Sequence, residues 1–330
     1  MPRQIEKDMD LYACTASQFK TAFCYGVKQL AINREFVNSI NITPVPNGNT
    51  GNNFHKTLLS SLQEMKDEAH VGTLAQQCAR GALLGASGSS GIILANFLIG
   101  FAEVIEDKER ALVGDLLRAI KKGYLKAKTE MGAIAGGSIF DIGTAIYAGI
   151  SDEDIVNHTL IDTVSLIHKA SHSALEAIPA KNPLFSRVGI NDAGAVGLFY
   201  FIDGIYRYSF KKPLERNKAK SSSLPLADDM GIKGVLYSVE FLINNVTLPV
   251  EDIKKSLSDV GDPILLAYEK GDMVKVLIRT TDPKKVFDRS ARFGKSTRIK
   301  VDDLIDEQRY FLSTLRRTPT KESELAQGQP

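Results

Sequence analysis

Three segments carry groups that could handle phosphate or a metal ion. The first is Val37–Phe54, VNSINITPVPNGNTGNNF, with two prolines and six asparagines. Such a run makes a rigid polar loop between helices, and its amides can donate and accept hydrogen bonds. The second is Gly85–Gly91, GASGSSG, which leads into the apolar run from Ile92. Small residues at a helix start leave backbone N–H groups free to meet phosphate oxygens. The third, Asn191–Gly197, NDAGAVG, again opens an apolar stretch. A polar connector and close helix packing explain the same residues without a ligand, and both readings stay open on composition alone.

Other candidates are weaker. Phe293-Gly294-Lys295-Ser296-Thr297 ends like a phosphate loop, but Arg289 stands where the first glycine should be, and the segment adjoins a short strand late in the chain. His168 and His172 are four apart and could share a metal on one helix face. Lys169 follows His168 where a metalloprotease helix has glutamate, so a hydrogen-bonded pair is the simpler reading. Lys211, Lys212, Arg216, Lys218 and Lys220 form a basic run that reads as a solvated linker. Cys14, Cys24 and Cys78 are too few for a disulfide framework and read as buried thiols.

The elements that must position these groups fall into two kinds. In the first 210 residues, Phe19, Ala22, Phe23, Gly26, Val27 and Leu30 follow helical spacing, as do Leu58, Leu59, Leu62 and Met65. Ser151 with Asp154 predicts the start of a further helix, its buried side lined by Val156, Leu160, Val164 and Ile167. Ile92 to Ala102 predicts a buried core helix, being short for a membrane span. Residues 211–229 read as an exposed linker. Beyond them the period changes. Val235, Tyr237, Val239, Phe241 and Ile243 alternate like a half-buried strand, Val250–Leu257 is helical, and Ile264–Tyr268 with Val274–Ile278 predicts a hairpin. Pro283 opens a helix, and Arg298–Val301 a last strand. The order β-α-β-β-α-β is that of a ferredoxin-like unit. The domains are therefore 1–210 helical, 211–229 linker, 230–312 α+β, and 313–330 a polar tail expected to be disordered.

With 330 residues, 41 Lys+Arg against 39 Asp+Glu and 43% hydrophobic residues, the chain has the composition of a soluble globular protein. A net charge of +2 argues against nucleic acid as the partner. The polar start lacks the apolar run of a signal peptide, so a cytoplasmic location without a membrane span is expected.

Taken in order, the motifs resemble the dihydroxyacetone-kinase L-type (DhaL, or DAK2) domain, in the form found in the ATP-binding subunit of fatty-acid kinase. That family's loops read VNxLNVxPVPDGDTGTNM, GARGNSGVIL and VDSGGKG. Here they stand as Val37–Phe54, Gly85–Leu94 and Ile190–Gly197. The kinase's middle-domain motifs GDSLVV, KVHVHTNDPxKV and IKIENMREQ are matched by GDPILL from Gly261, KVLIRTTDPKKV from Lys275 and IKVDDLIDEQ from Ile299. The resemblance covers roughly residues 15–310; the kinase's further C-terminal domain is expected to be missing, as the sequence ends at Pro330. It implies an antiparallel helical barrel with ATP in its mouth, phosphates on the Ser/Gly loop and two Mg²⁺ held by the DGD carboxylates. It further implies a fatty acid presented by a lipid-carrier protein, and an acyl phosphate as product. The implied nucleotide cradle is Thr50, Gly51, Asn53, Gly88, Ser89, Ser90, Gly91, Asp192 and Gly194.

The departures from that pattern concern charge. DGD has become Asn47-Gly48-Asn49, so the two Mg²⁺ positions carry neutral amides, and Mg²⁺ prefers carboxylate oxygen. Each factor of ten in rate corresponds to about 1.4 kcal/mol of transition-state stabilisation, so losing metal neutralisation costs several powers of ten. The arginine of GARGNSG is Ser87, and a Glu-Gly-Thr element is replaced by Gly136-Gly137-Ser138. Both histidines of HVHT are lost, to Leu277 and Arg279, and the cysteine of GYCTEF is Ser238. A Cys/His zinc site is therefore not expected. The expected function is a degenerate fatty-acid-kinase-like protein with weak or no catalysis and no catalytic residue assigned. It would act as a nucleotide-binding or regulatory partner of a kinase or lipid carrier, or as a homodimer. The alternative is an active Mg-ATP-dependent kinase acting on a carrier-bound fatty acid or a small hydroxyl substrate.

Overall fold

Helix α1, Ala16–Ser39, begins where Thr15 and Gln18 cap each other: Gln18 N donates to Thr15 Oγ1 at 3.2 Å and Thr15 N to Gln18 Oε1 at 2.9 Å. In the computed structural model, which describes residues 11–43, 45–66, 69–131, 138–151, 154, 157–217, 236–269 and 273–317, this helix leads a closed ring. After α1 come α2 (Thr50–Glu64), α3 (Val71–Gly85), α4 (Gly88–Ile105), α5 (Val113–Met131), α6 (Ile139–Gly149), α7 (Leu160–Lys181), the short α8 (Pro183–Val188) and α9 (Ala193–Ser209). Each long helix packs on its successor, and α9 returns to pack on α1, which closes the helical barrel. A two-stranded ribbon, β1 (Ala13–Cys14) with β2 (Ala111–Leu112), ties the start of α1 to the start of α5.

The second part is a four-stranded antiparallel sheet. Its elements run β3 (Tyr237–Asn244), α10 (Val250–Leu257), β4 (Ile264–Tyr268), β5 (Met273–Thr280), α11 (Pro283–Ser290), β6 (Lys295–Asp303) and α12 (Leu304–Arg317). The strand order β4-β5-β3-β6 and the β-α-β-β-α-β succession are ferredoxin-like, as the alternation predicts. The expected hairpin is present, with Tyr268 opposite Val274.

Several expectations are corrected. Strand β3 is not half-buried: every residue from Ser238 to Ile243 is buried. Val239, Phe241 and Ile243 face α10 and α11, whereas the other sheet face meets the helical barrel, with Leu265, Ala267 and Leu277 sharing the barrel's core. The Ser151–Asp154 capping pair forms, with Ser151 N donating to Asp154 Oδ2 at 2.6 Å, but α7 starts later under its own pair, Thr159 and Asp162. Val156 lies outside the described residues, and Val164 and Ile167 are half-buried. Residues 211–217 of the expected linker are tied down: Gln29 and Asn33 side-chain amides donate to the Glu215 carbonyl at 2.9 and 3.0 Å, and Arg207 reaches the Glu215 carboxylate. Helix α12 continues through Arg317, five residues into the expected tail; residues 318–330 lie outside the described residues. Cys14 and Cys78 are buried as expected, but Cys24 only half so. Burial pushes the Cys14 thiol up to about 12.

Helix α4 sits among α2, α3 and α5 with β4 and β5 on its outer side. By length and composition it could cross a membrane, yet 67% of it is buried in the fold. It begins at Gly88 rather than Ile92, because the Gly-Ser-Ser-Gly step is itself helical.

Candidate functional site

The first two predicted segments meet where α2 and α4 begin. Asn41, buried, organises the first loop. Its Oδ1 accepts from Asn49 N and Thr50 N, each at 3.1 Å, and its Nδ2 donates to the Val45 carbonyl at 3.2 Å. Asn38 Oδ1 likewise accepts from Asn52 N at 3.1 Å. These two asparagines take over free N–H groups at the start of α2, which Asn49 does not cap with its own side chain. Gly48 adopts φ +64°, a conformation that strongly favours glycine, and a Cβ there would lie 2.3 Å from the Phe311 ring. Gly88, at φ +62°, brings the second loop against the first: a Cβ would lie 2.4 Å from Asn53 Nδ2. Asn53 Nδ2 in turn donates to Asn49 Oδ1 at 2.9 Å. Thr50, Gly51 and Asn53 at the start of α2 thus lie against Gly88, Ser89, Ser90 and Gly91 at the start of α4, next to Asn49.

The third segment serves differently. Asp192 caps α9, accepting from Ala195 N at 2.7 Å, and also receives the Ile139 N–H at the start of α6. Burial pushes its carboxyl up to about 6, with the nearby Asp141 adding to the rise, while the backbone donors of Ala195, Ile139 and Gly194 work against it. Asp192 and Gly194 therefore hold two helix starts together. The segment meets the first loop's helix at Gly197, whose Cβ position lies 3.2 Å from Phe54.

The amides at both of the family's metal positions face a carboxylate. Asn47 Nδ2 donates to Glu307 Oε2 at 2.9 Å, and Asn49 Nδ2 lies 3.5 Å from the same oxygen. An ionised carboxylate only accepts, so both amides must turn their NH₂ groups, not their oxygens, toward it. Glu307 comes from α12, some 260 residues away in sequence. Burial raises its carboxyl above the usual range and Asp302 and Glu240 add to this, while the Asn47 hydrogen bond and Lys300 oppose it. As placed, the two amides turn NH₂ groups toward Glu307, whereas Mg²⁺ takes oxygen ligands in a near-octahedral shell. Among the described residues no group of three His, Cys, Asp or Glu side chains is placed to hold a metal ion.

The Ser/Gly loop is met by the sheet. Gly88 N donates to Glu240 Oε1 at 2.9 Å, and the other Glu240 oxygen pairs with Lys275 at 3.5 Å, both side chains at most 5% exposed. Arg279 reaches from β5 to Ser89 Oγ at 3.5 Å. Ser238 stands opposite Arg279, and Glu240 opposite Leu277, on the face toward the barrel. The three lost Cys/His positions thus converge in space, and here they carry a hydroxyl, a guanidinium and a core leucine. The loop keeps phosphate-directed donors in Gly88 N–H and the Ser89 and Ser90 hydroxyls, one of them already used by Glu240. Sequence reasoning missed Glu240, Glu307, Arg279 and Phe311 as parts of this site. Only the three-dimensional docking of the sheet brings them there, although the uncommonly polar inward positions 238, 240 and 275 were a signal.

The remaining candidates resolve into structure. His168 Nε2 lies 3.1 Å from Asp203 Oδ1 and stacks on Tyr206, and His172 pairs with Glu176. Phe293 is buried, and Lys295, Ser296 and Thr297 begin β6. Lys212 donates to the Tyr206 hydroxyl at 3.0 Å; Lys218 and Lys220 lie outside the described residues. Gly136 and Gly137 also lie outside them, and Ser138 caps α6 together with Asp141.

A family model described as the DAK2 domain matches residues 44–207, and one described as the FakA-like middle domain of fatty acid kinase matches residues 234–310. A Staphylococcus epidermidis protein, described as uncharacterized, is 24% identical over 306 residues, covering 88% of this chain and 55% of its own length. A Staphylococcus aureus protein of strain USA300, also described as uncharacterized, is 24% identical over 315 residues, covering 91% and 57%. The chain thus spans little more than half the length of these relatives.

Proposed function

The chain is a DAK2-domain protein with a FakA-like middle domain, and we propose that it is a degenerate member: it binds a nucleotide weakly, does not transfer phosphate, and serves as a regulatory partner of a kinase or a lipid carrier in the cytoplasm. One observation carries this reading. The two asparagines that replace the metal-binding acids donate their amides to Glu307, so the loop is built as an anion receptor.

Phosphoryl transfer needs the charge of the γ-phosphate to be neutralised as it moves, which is worth several kcal/mol when a metal does it. Neutral amide donors can hold an anion but do not supply the positive charge that a metal would bring to the moving phosphate. The test is an acyl-phosphate assay with Mg·ATP and carrier-bound fatty acid. No turnover above the protein-free control is expected. Asn47→Asp with Asn49→Asp is expected to gain Mg²⁺-dependent transfer if the rest of the pocket is competent. Wild-type turnover that disappears in Asn47→Ala, Asn49→Ala would refute the reading.

A further inference from the structure

Besides Arg279 on Ser89, the middle domain meets the cradle through two anchors, carboxylates that rest on donors. Glu240 takes the Gly88 N–H, and Glu307 takes the Asn47 and Asn49 amides. A carboxylate oxygen and a phosphate oxygen are alike to such donors, since both are anionic acceptors. The two anchors are mechanically linked. Strand β3 pairs with β6, β6 runs directly into α12, and Leu304 N donates to the Leu236 carbonyl at 2.8 Å. Phe311, 6% exposed, closes the same helix over Gly48.

From this geometry, and resting on the reading that the loop is metal-free, we propose that the middle domain is a built-in competitor for the nucleotide cradle. Glu240 and Glu307 hold the donors that a polyphosphate would use, so a nucleotide binds by displacing both carboxylates and lifting α12 away. Its arrival is thereby converted into release of the middle-domain face. The class of ligand is a nucleoside di- or triphosphate taken up without a divalent cation. Tethering gives the internal carboxylates a high effective concentration, so the apparent affinity of the free ligand falls by the fraction of time the cradle is closed. The replaced acids matter here. With aspartates at 47 and 49, Glu307 would meet like charge, and docking would need a cation between them. With amides, docking needs none.

The experiment uses the full chain with ATP in the presence of a chelator. Calorimetry gives the affinity of the wild type, of Glu307→Gln, and of the joint variant Glu240→Gln, Lys275→Met, in which no charge is left buried alone. Hydrogen exchange follows Leu304–Arg317 and the first turn of α4 with and without ATP. Glu307→Gln is expected to bind ATP at least tenfold more tightly than the wild type, the joint variant likewise. Saturating ATP should speed exchange across Leu304–Arg317 in the wild type. Unchanged or weaker affinity in both variants, no ATP binding by any of the three, or exchange in that helix that ATP slows or leaves alone would overturn the proposal. These outcomes are separate from turnover: phosphate transfer by the wild type would defeat the degenerate-kinase reading, whatever the exchange data show.

Discussion

At the scale of single residues, the site depends on amides and glycines doing what charged groups do elsewhere. Gly48→Ala forces a Cβ into left-handed backbone and toward the Phe311 ring. The backbone term alone is about 1–2 kcal/mol, and urea unfolding should show at least that loss. Phe311→Ala should recover part of it, because the two changes share one contact. Asp192 gives a pH test. Its carboxyl titrates near 6 when folded against an ordinary value of 3.8. Between those values the folded chain holds a proton that the unfolded chain has lost. The group therefore adds stability as the pH falls toward 4 and loses that contribution as the pH rises through 6. Asp192→Asn keeps an acceptor for Ala195 N but cannot ionise. It should raise the melting temperature at about pH 7.5 and leave it unchanged near pH 4. An equal shift at both values would show that ionisation at this position does not matter.

At the scale of elements, helix α2 starts on borrowed caps. Asn41 satisfies two N–H groups and one carbonyl across the loop, so Asn41→Ala should cost about 1–3 kcal/mol in denaturant unfolding through buried groups left unpaired. The sequence revealed most of these elements. Helical spacing located α1 and α2, and strict alternation located β3, β5 and the hairpin, whereas the Ser151–Asp154 pair placed the start of α7 too early. The alternation of β3 misled in one respect. Ser238 and Glu240 have the polarity of solvent-facing positions, yet they are buried because Lys275, Gly88 N–H and the barrel supply partners. Alternation reports polarity, and polarity equals exposure only where nothing docks on the polar face. The loops Val37–Phe54 and Gly85–Gly91 were legible as a candidate site because their polar groups sit within each segment. Glu307 was not, because its role is fixed by contacts 260 residues apart.

For the molecule as a whole, the barrel and the sheet share core. Leu265, Ala267 and Leu277 are buried in the same cluster as Leu83, Ile92 and Ile99. Asn96 donates to the Leu266 carbonyl at 2.7 Å, Tyr268 to Glu130 at 2.8 Å, and Arg298 to the Leu84 carbonyl at 3.1 Å. Removing that apolar face from either side exposes it to water. Calorimetry of the full chain should therefore show one cooperative transition with equal calorimetric and van't Hoff enthalpies; two resolved transitions would mean that the interface contributes little.

The most direct measurement of the metal-free cradle is an electron paramagnetic resonance titration of Mn²⁺ into the full chain with a non-hydrolysable ATP analogue. The protein is expected to add no Mn²⁺ binding beyond that of the free analogue, and Asn47→Asp with Asn49→Asp to create it. A stoichiometric protein-bound Mn²⁺ signal in the wild type, lost in Asn47→Ala, Asn49→Ala, would contradict it.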